Sequence, residues 1–127
     1  AINLGKYISA LSNSATLNNE DYGYLYFGVA DETLEIIGTK FDVSATMVSN
    51  KENGNSRQPL ELYLRQYITP KINFSINEVT VSNGKRIVVF EIPAAKGEPT
   101  CFMNIPYVRV DSCVTDLRPY TDWMRYI

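Results

Sequence analysis

Leu4, Ile8 and Leu11, with Tyr7 alongside, recur at the spacing of one helix face. The pattern predicts an amphipathic helix from Leu4 to about Ala15, with Asn3 as its N-cap. Asn18, Asn19, Glu20 and Asp21 then break it. Tyr22 to Val29 (YGYLYFGV) is a run of aromatic and aliphatic residues without charged positions, which predicts a strand buried on both faces. Ala30 to Thr33 reads as a tight acidic turn, and Leu34 to Ile37 as a short returning strand stopped by Gly38. Asp42 or Ser44 is placed to cap a short helix toward Val48. Ser49 to Pro59 is polar and punctuated by Gly, Asn and Pro, the pattern of a mobile loop. Leu60, Leu64, Tyr67 and Ile68 set a second helical stripe that Pro70 closes.

The second half reads mainly as strands. Ile72, Phe74 and Ile76 alternate with polar residues, and Val79 and Val81 shift the phase by one, which predicts a bulge near Asn77–Glu78. Asn83-Gly84 predicts a type I′ hairpin turn into a central strand, Ile87 to Ile92, ended by Pro93. Thr100 to Met103 and Tyr107 to Val110 follow as short strands. Pro119 opens a last helix carrying Trp123, Met124 and Ile127. The element order is that of an α+β domain: a mixed, largely antiparallel sheet with helices packed on it. Its 127 residues fit one domain, 1–127.

Composition narrows the chemistry. The chain has no histidine, which excludes a Ser-His-Asp triad, a Cys-His pair and HExxH zinc chemistry. It has no GxGxxG or Walker-A loop to cradle a nucleotide phosphate. No apolar run approaches the ~20 residues of a membrane helix. Cys101 and Cys113 belong to no CxxC or disulfide framework and read as reduced thiols, which makes the cytoplasm the expected compartment. The formal net charge is −2, but acids dominate the first forty residues and the basic residues Lys85, Arg86, Lys96 and Arg109 lie in the second half. An anion-binding surface is expected there. Asp31, Glu32 and Glu35 cluster at the turn after the first strand, an oxygen-rich set of the kind that can hold a divalent cation, or a turn chosen for its geometry alone.

Four segments in order resemble the Schlafen AlbA-like domain, a family described as DNA-binding and found in transcriptional regulators and helicase-related proteins. Leu4 to Leu17 (LGKYISALSNSATL) resembles its "ISAxxNxxG" helix. Tyr22 to Gly38 (YGYLYFGVADETLEIIG) resembles its "GGxLxxGVxDxxxxxxG" hairpin. Lys85 to Ala94 (KRIVVFEIPA) is similar to its "KxVxxxxVP" strand, and Pro106 to Ser112 (PYVRVDS) to its "YxRxGS" strand. The resemblance implies a nucleic-acid-binding module, DNA ahead of RNA, with further domains in the parent chain. Lys85, Arg86, Lys96 and Arg109 are then the expected backbone-contacting residues. In the nuclease branch of the family, two glutamates from an opening "ExxxxEFK" strand join the aspartate of the "GVxD" turn to hold a metal. Asp31 matches that aspartate, which implies Mg²⁺ or Mn²⁺ if the parent is a nuclease. The two glutamates have no counterpart in this sequence, which reads as a piece of a longer protein lacking the family's first strand. Asp111 stands where the family usually has Gly. A third reading, protein interaction or homo-oligomerisation, draws on the nine tyrosines with Trp123 and Phe102.

Overall fold

The computed structural model describes residues 2–30, 32–50, 54 and 56–127, Ile2 by its backbone only. Helix α1 (Ile2–Leu17) opens the chain and is followed by β1 (Tyr22–Phe27), β2 (Met47–Asn50), β3 (Ser56–Pro59), α2 (Leu60–Tyr67) and β4 (Ile68–Thr69). Strands β5 (Ser75–Thr80), β6 (Arg86–Pro93), β7 (Cys101–Phe102), β8 (Ile105–Val110) and β9 (Cys113–Asp116) lead to α3 (Thr121–Met124). The strands form three antiparallel sheets: β1-β6-β5, β2-β3 and β4-β7-β8-β9. The α+β class holds. No helix among the described residues is long and apolar enough to cross a membrane.

α1 lies between the first sheet and the last, packing on β1 and β6 with one side and on β7, β8 and β9 with another. That position explains its residues. Leu4 and Ile8 enter a core with Leu60, Leu64, Ile68, Phe74, Phe90 and Ile92. On the other side it buries Ser9, Ser12 and Asn13 completely. Such polar groups are tolerated inside only when hydrogen-bonded, and here all three are. Asn13 Nδ2 donates to the carbonyls of Thr100 (2.9 Å) and Tyr107 (2.8 Å), while its Oδ1 accepts from the Thr100 amide at 2.8 Å. Ser9 Oγ donates to the Thr100 carbonyl and accepts from the Tyr107 amide. Ser12 Oγ donates to the Pro93 carbonyl at 2.8 Å. The helix is bolted to the 93–107 segment by side chains. Close approach to β1 depends on Gly23, where a Cβ would stand 2.9 Å from the Leu11 carbonyl oxygen.

Several expectations are corrected. Asn3 lies inside α1, which starts at Ile2, so it is no N-cap. β1 is buried on one face only: Tyr22, Tyr24 and Tyr26 point outward, and Gly23, Leu25 and Phe27 lie inward. The hydroxyl gives tyrosine a polar end that water can hold, so an apolar-looking run still had a wet side. Leu34 to Ile37 makes one bridge, Val29 to Ile36, rather than a strand. Asp42 caps a turn, accepting the Ser44 amide at 3.0 Å, and the chain enters β2 where a helix was expected. The 49–59 stretch carries the β2-β3 pairing, although residues 51–53 and 55 lie outside the described set. β5 pairs with β6 one to one from Ser75–Glu91 to Thr80–Arg86, without the bulge. In the following turn Gly84 takes φ 80° and Asn83 does not take positive φ. The amide of Gly84 reaches the Val81 carbonyl and the Val81 amide the Lys85 carbonyl, a three-residue loop in place of a type I′ turn. β9 was not expected at all.

Candidate nucleic-acid interface

Arg109 sits on β8 with Val108 buried beside it and its own side chain exposed. Two things place it. Antiparallel pairing with Val114 on β9 sets its facing, and its amide donates to Ser14 Oγ at 3.2 Å, which ties this point of β8 to the last turns of α1. An arginine on this strand can meet a phosphate or pair with a carboxylate such as Glu91 or Asp111. Among the described residues Arg109 forms no ion pair; Glu91 instead accepts a long hydrogen bond from the Tyr24 hydroxyl at 3.4 Å.

Three concavities meet at this arginine. One, of about 450 Å³, runs between the end of α1 (Ser14, Asn18, Asn19) and the C-terminal segment (Trp123, Tyr126). Another, about 490 Å³, lies toward β1 and is lined by Glu20, Tyr22, Tyr24 and Asp111. The third, about 670 Å³, is mainly apolar, with Leu4, Tyr7, Leu25, Phe27 and Phe41 on its walls. The first joins a free guanidinium to amides and to two exposed aromatic rings, Trp123 at 37% and Tyr126 at 75% exposure. Trp123 is held by a near-parallel stack on Tyr120, with ring centroids 4.5 Å apart. Those are the parts that hold phosphates and unstacked bases.

The other expected basic residues do not join it. Lys85 is exposed at the β5-β6 turn and donates to the Ile36 carbonyl at 3.2 Å. Arg86 is committed to the fold, pairing with Glu78 at 2.6 Å and donating to the Phe41 carbonyl. Lys96 is exposed in the loop beyond the opposite end of β6. With β6 between them, Lys85 and Lys96 stand roughly 20–25 Å apart at ~3.3 Å per residue. The four cations make no single patch. Asp31 lies outside the described residues, and among those described no three His, Cys, Asp or Glu side chains gather as a metal site. Glu32 and Glu35 are exposed. The described residues do not fit a divalent cation. Cys101 is half-buried and Cys113 exposed, both free, and burial raises the Cys101 thiol above its usual range with Glu98 adding to it.

Trp123 and Tyr126 were missed as site residues. Trp123 was read as part of a last helix and as interface material, Tyr126 was not singled out, and only the packing of the C-terminal segment beside Arg109 brings them to the site. The alternation Tyr-Gly-Tyr-Leu-Tyr-Phe did carry a signal for the outward face of β1, with tyrosine at every second position.

A family model described as "Schlafen, AlbA_2" matches residues 1–118. The chain belongs to that family. Among curated proteins none matches. A solved structure that is similar is the DIP2311 protein from Corynebacterium diphtheriae, with a TM-score of 0.52 and 22% identity over 97% of this chain. The chain spans 18% of the length of that protein, and the likeness shows the fold alone. Within this Schlafen AlbA_2 domain the motif residues divide by role. Ser9 and Asn13 of the helix motif brace the 100–107 backbone. Gly28 of the hairpin motif has φ 96°, and a Cβ there would lie 2.9 Å from the Arg86 carbonyl. Arg109 is left facing solvent, as are Lys85 and Ser112 of the other motif positions.

Proposed function

We propose that this Schlafen AlbA_2 domain is a nucleic-acid-binding module of a transcriptional regulator, with DNA ahead of RNA. The observation that carries the reading is the unpaired Arg109 guanidinium beside Trp123, Tyr126, Ser14 and Asn18. Arginine meets a phosphate with a two-pronged, charge-assisted hydrogen bond, and an aromatic face accepts any base. Lys85 and Lys96, at a distance, extend the contact along a backbone rather than sharpen it. The net charge of −2 and the scatter of the cations set the strength: weak, sequence-independent binding, with Kd on the order of 10⁻⁴ to 10⁻⁶ M. Free thiols at Cys101 and Cys113 accord with a reducing compartment, and we infer a cytoplasmic location.

The test is fluorescence-anisotropy titration of labelled duplex DNA, single-stranded DNA and RNA at two salt concentrations. With few phosphates engaged, log affinity should fall against log salt with a slope of about −1 to −3. Arg109→Ala should weaken binding about tenfold and flatten the slope by about one unit. Binding that ignores salt, or that survives Arg109→Ala unchanged, would overturn the reading.

A further inference from the structure

The outer face of the β1-β6-β5 sheet, whose Tyr22 and Tyr24 also border a concavity reaching Arg109, carries an arrangement that the groove of Arg109, Trp123 and Tyr126 does not use. The inner face holds Val88, Phe90 and Ile92 in the core, and the register puts Tyr22, Tyr24, Tyr26, Val89, Glu91 and Val79 on the other side. The three tyrosines are 42, 44 and 52% exposed, and Val79 44%. Their rings follow one another along β1 with centroids 6.4 and 6.2 Å apart. Glu91 faces Tyr24 directly across the strands and is the one charged side chain among the described strand residues of this face. Among the described residues its carboxylate has no cation: its partner is the Tyr24 hydroxyl at 3.4 Å. Partial desolvation, and then the Glu91 charge, raises the Tyr24 hydroxyl above its usual range, so it stays a donor at neutral pH.

The chemistry of this face is one-sided. Tyrosine rings present negative quadrupole faces that attract guanidinium and ammonium groups within about 6 Å. An unpaired carboxylate at their centre attracts the same groups and repels phosphate. A second copy related by a two-fold axis would bring like faces, each with its Glu91, together. An extended segment repeats its side chains on one face every ~6.6 Å, close to the ring spacing along β1. We infer that this face docks an extended protein segment carrying arginine or lysine at alternate positions, its cationic heads over the Tyr22–Tyr24–Tyr26 rings and one of them against Glu91. The partner is thus a basic peptide, distinct from the nucleic acid assigned to the Arg109 groove.

The probe is a five-residue peptide of alternating arginine and glycine with blocked ends, titrated into the 127-residue chain at physiological salt and followed by amide resonances and calorimetry. Shifts should centre on Tyr22, Tyr24, Tyr26 and Glu91. Glu91→Gln and Tyr24→Ala should each weaken the peptide about three- to tenfold, while Asp122→Asn, which removes an exposed acid elsewhere, should leave it unchanged. Tyr24→Phe keeps the ring and should keep more of the binding than Tyr24→Ala. Equal binding by wild type and Glu91→Gln, or equal loss in Asp122→Asn, would reduce the effect to general attraction and overturn the inference. So would concentration-dependent dimerisation abolished by Tyr24→Ala, or an oligonucleotide that moves these resonances in place of the peptide.

Discussion

Asn13 is the residue on which most of the polar interior depends. It is fully buried within α1 and serves three backbone groups on two other segments. Asn13→Ala would leave the buried Thr100 amide without its acceptor and take a donor from the Thr100 and Tyr107 carbonyls, the first of which keeps Ser9, and should destabilise the domain by about 2–4 kcal/mol, measured by urea denaturation. A change below 0.5 kcal/mol would mean that water replaces the side chain without penalty. Asp111 is the opposite case. It holds φ 57° at the β8-β9 turn, where the family usually has glycine and where a Cβ is strained. Asp111→Gly should therefore be neutral or stabilising by up to about 1 kcal/mol, and Asp111→Val destabilising by a similar amount or more. The motif identity of both residues was legible in the sequence. Asn13 as a brace was not, because its partners lie 87 and 94 positions away.

At the scale of elements, the connection from β9 to α3 rests on a local ion pair. Arg118 makes charge-assisted bonds to both oxygens of Asp116, the closest at 2.6 Å, and its amide also donates to Asp116 Oδ1. Those side-chain and backbone hydrogen bonds hold the Asp116 carboxyl below its ordinary range. Asp42 is lowered in the same way, first by the Ser44 hydroxyl. For each, the folded state binds its proton more weakly than the unfolded chain. The stabilisation is thus present above the unfolded pKa, about 4, and is lost as pH falls through the lower folded value. The urea midpoint should decline from pH 5 toward pH 3, and Asp116→Asn should shallow that decline. An unchanged profile in the variant would show that the pair contributes nothing. Helices α1 and α2 and strand β6 follow from their periodicity; β9 does not, since Cys-Val-Thr-Asp is too short and mixed to declare itself without β8 beside it.

For the molecule as a whole, the position of α1 between two sheets makes it the element whose loss dismantles everything else. Local opening cannot free its central turns without parting both sheets from the helix. The amides of Leu11 to Asn13 should therefore exchange with solvent only through global unfolding, with an exchange free energy equal to that from urea denaturation. Exchange of these amides at a clearly lower free energy would place the cooperative core elsewhere, in the β5-β6 hairpin and α2.

Helix and strand periods, turn residues and the absence of histidine were enough to set the α+β class, the single arrangement of motifs and the exclusion of histidine-dependent chemistry. These depend on neighbours in sequence and on residue type. Which side of each strand meets water, and which charges remain free, depend on partners far along the chain. Tyr22, Tyr24 and Tyr26 look outward because Gly23 admits α1 on the other side. Arg86 is spent on Glu78 and Phe41 while Arg109, equally basic in the sequence, is left open between α1 and Trp123. Tertiary structure alone made that choice, because an ion pair needs two groups within about 4 Å and a sequence fixes only how far apart they lie along the chain.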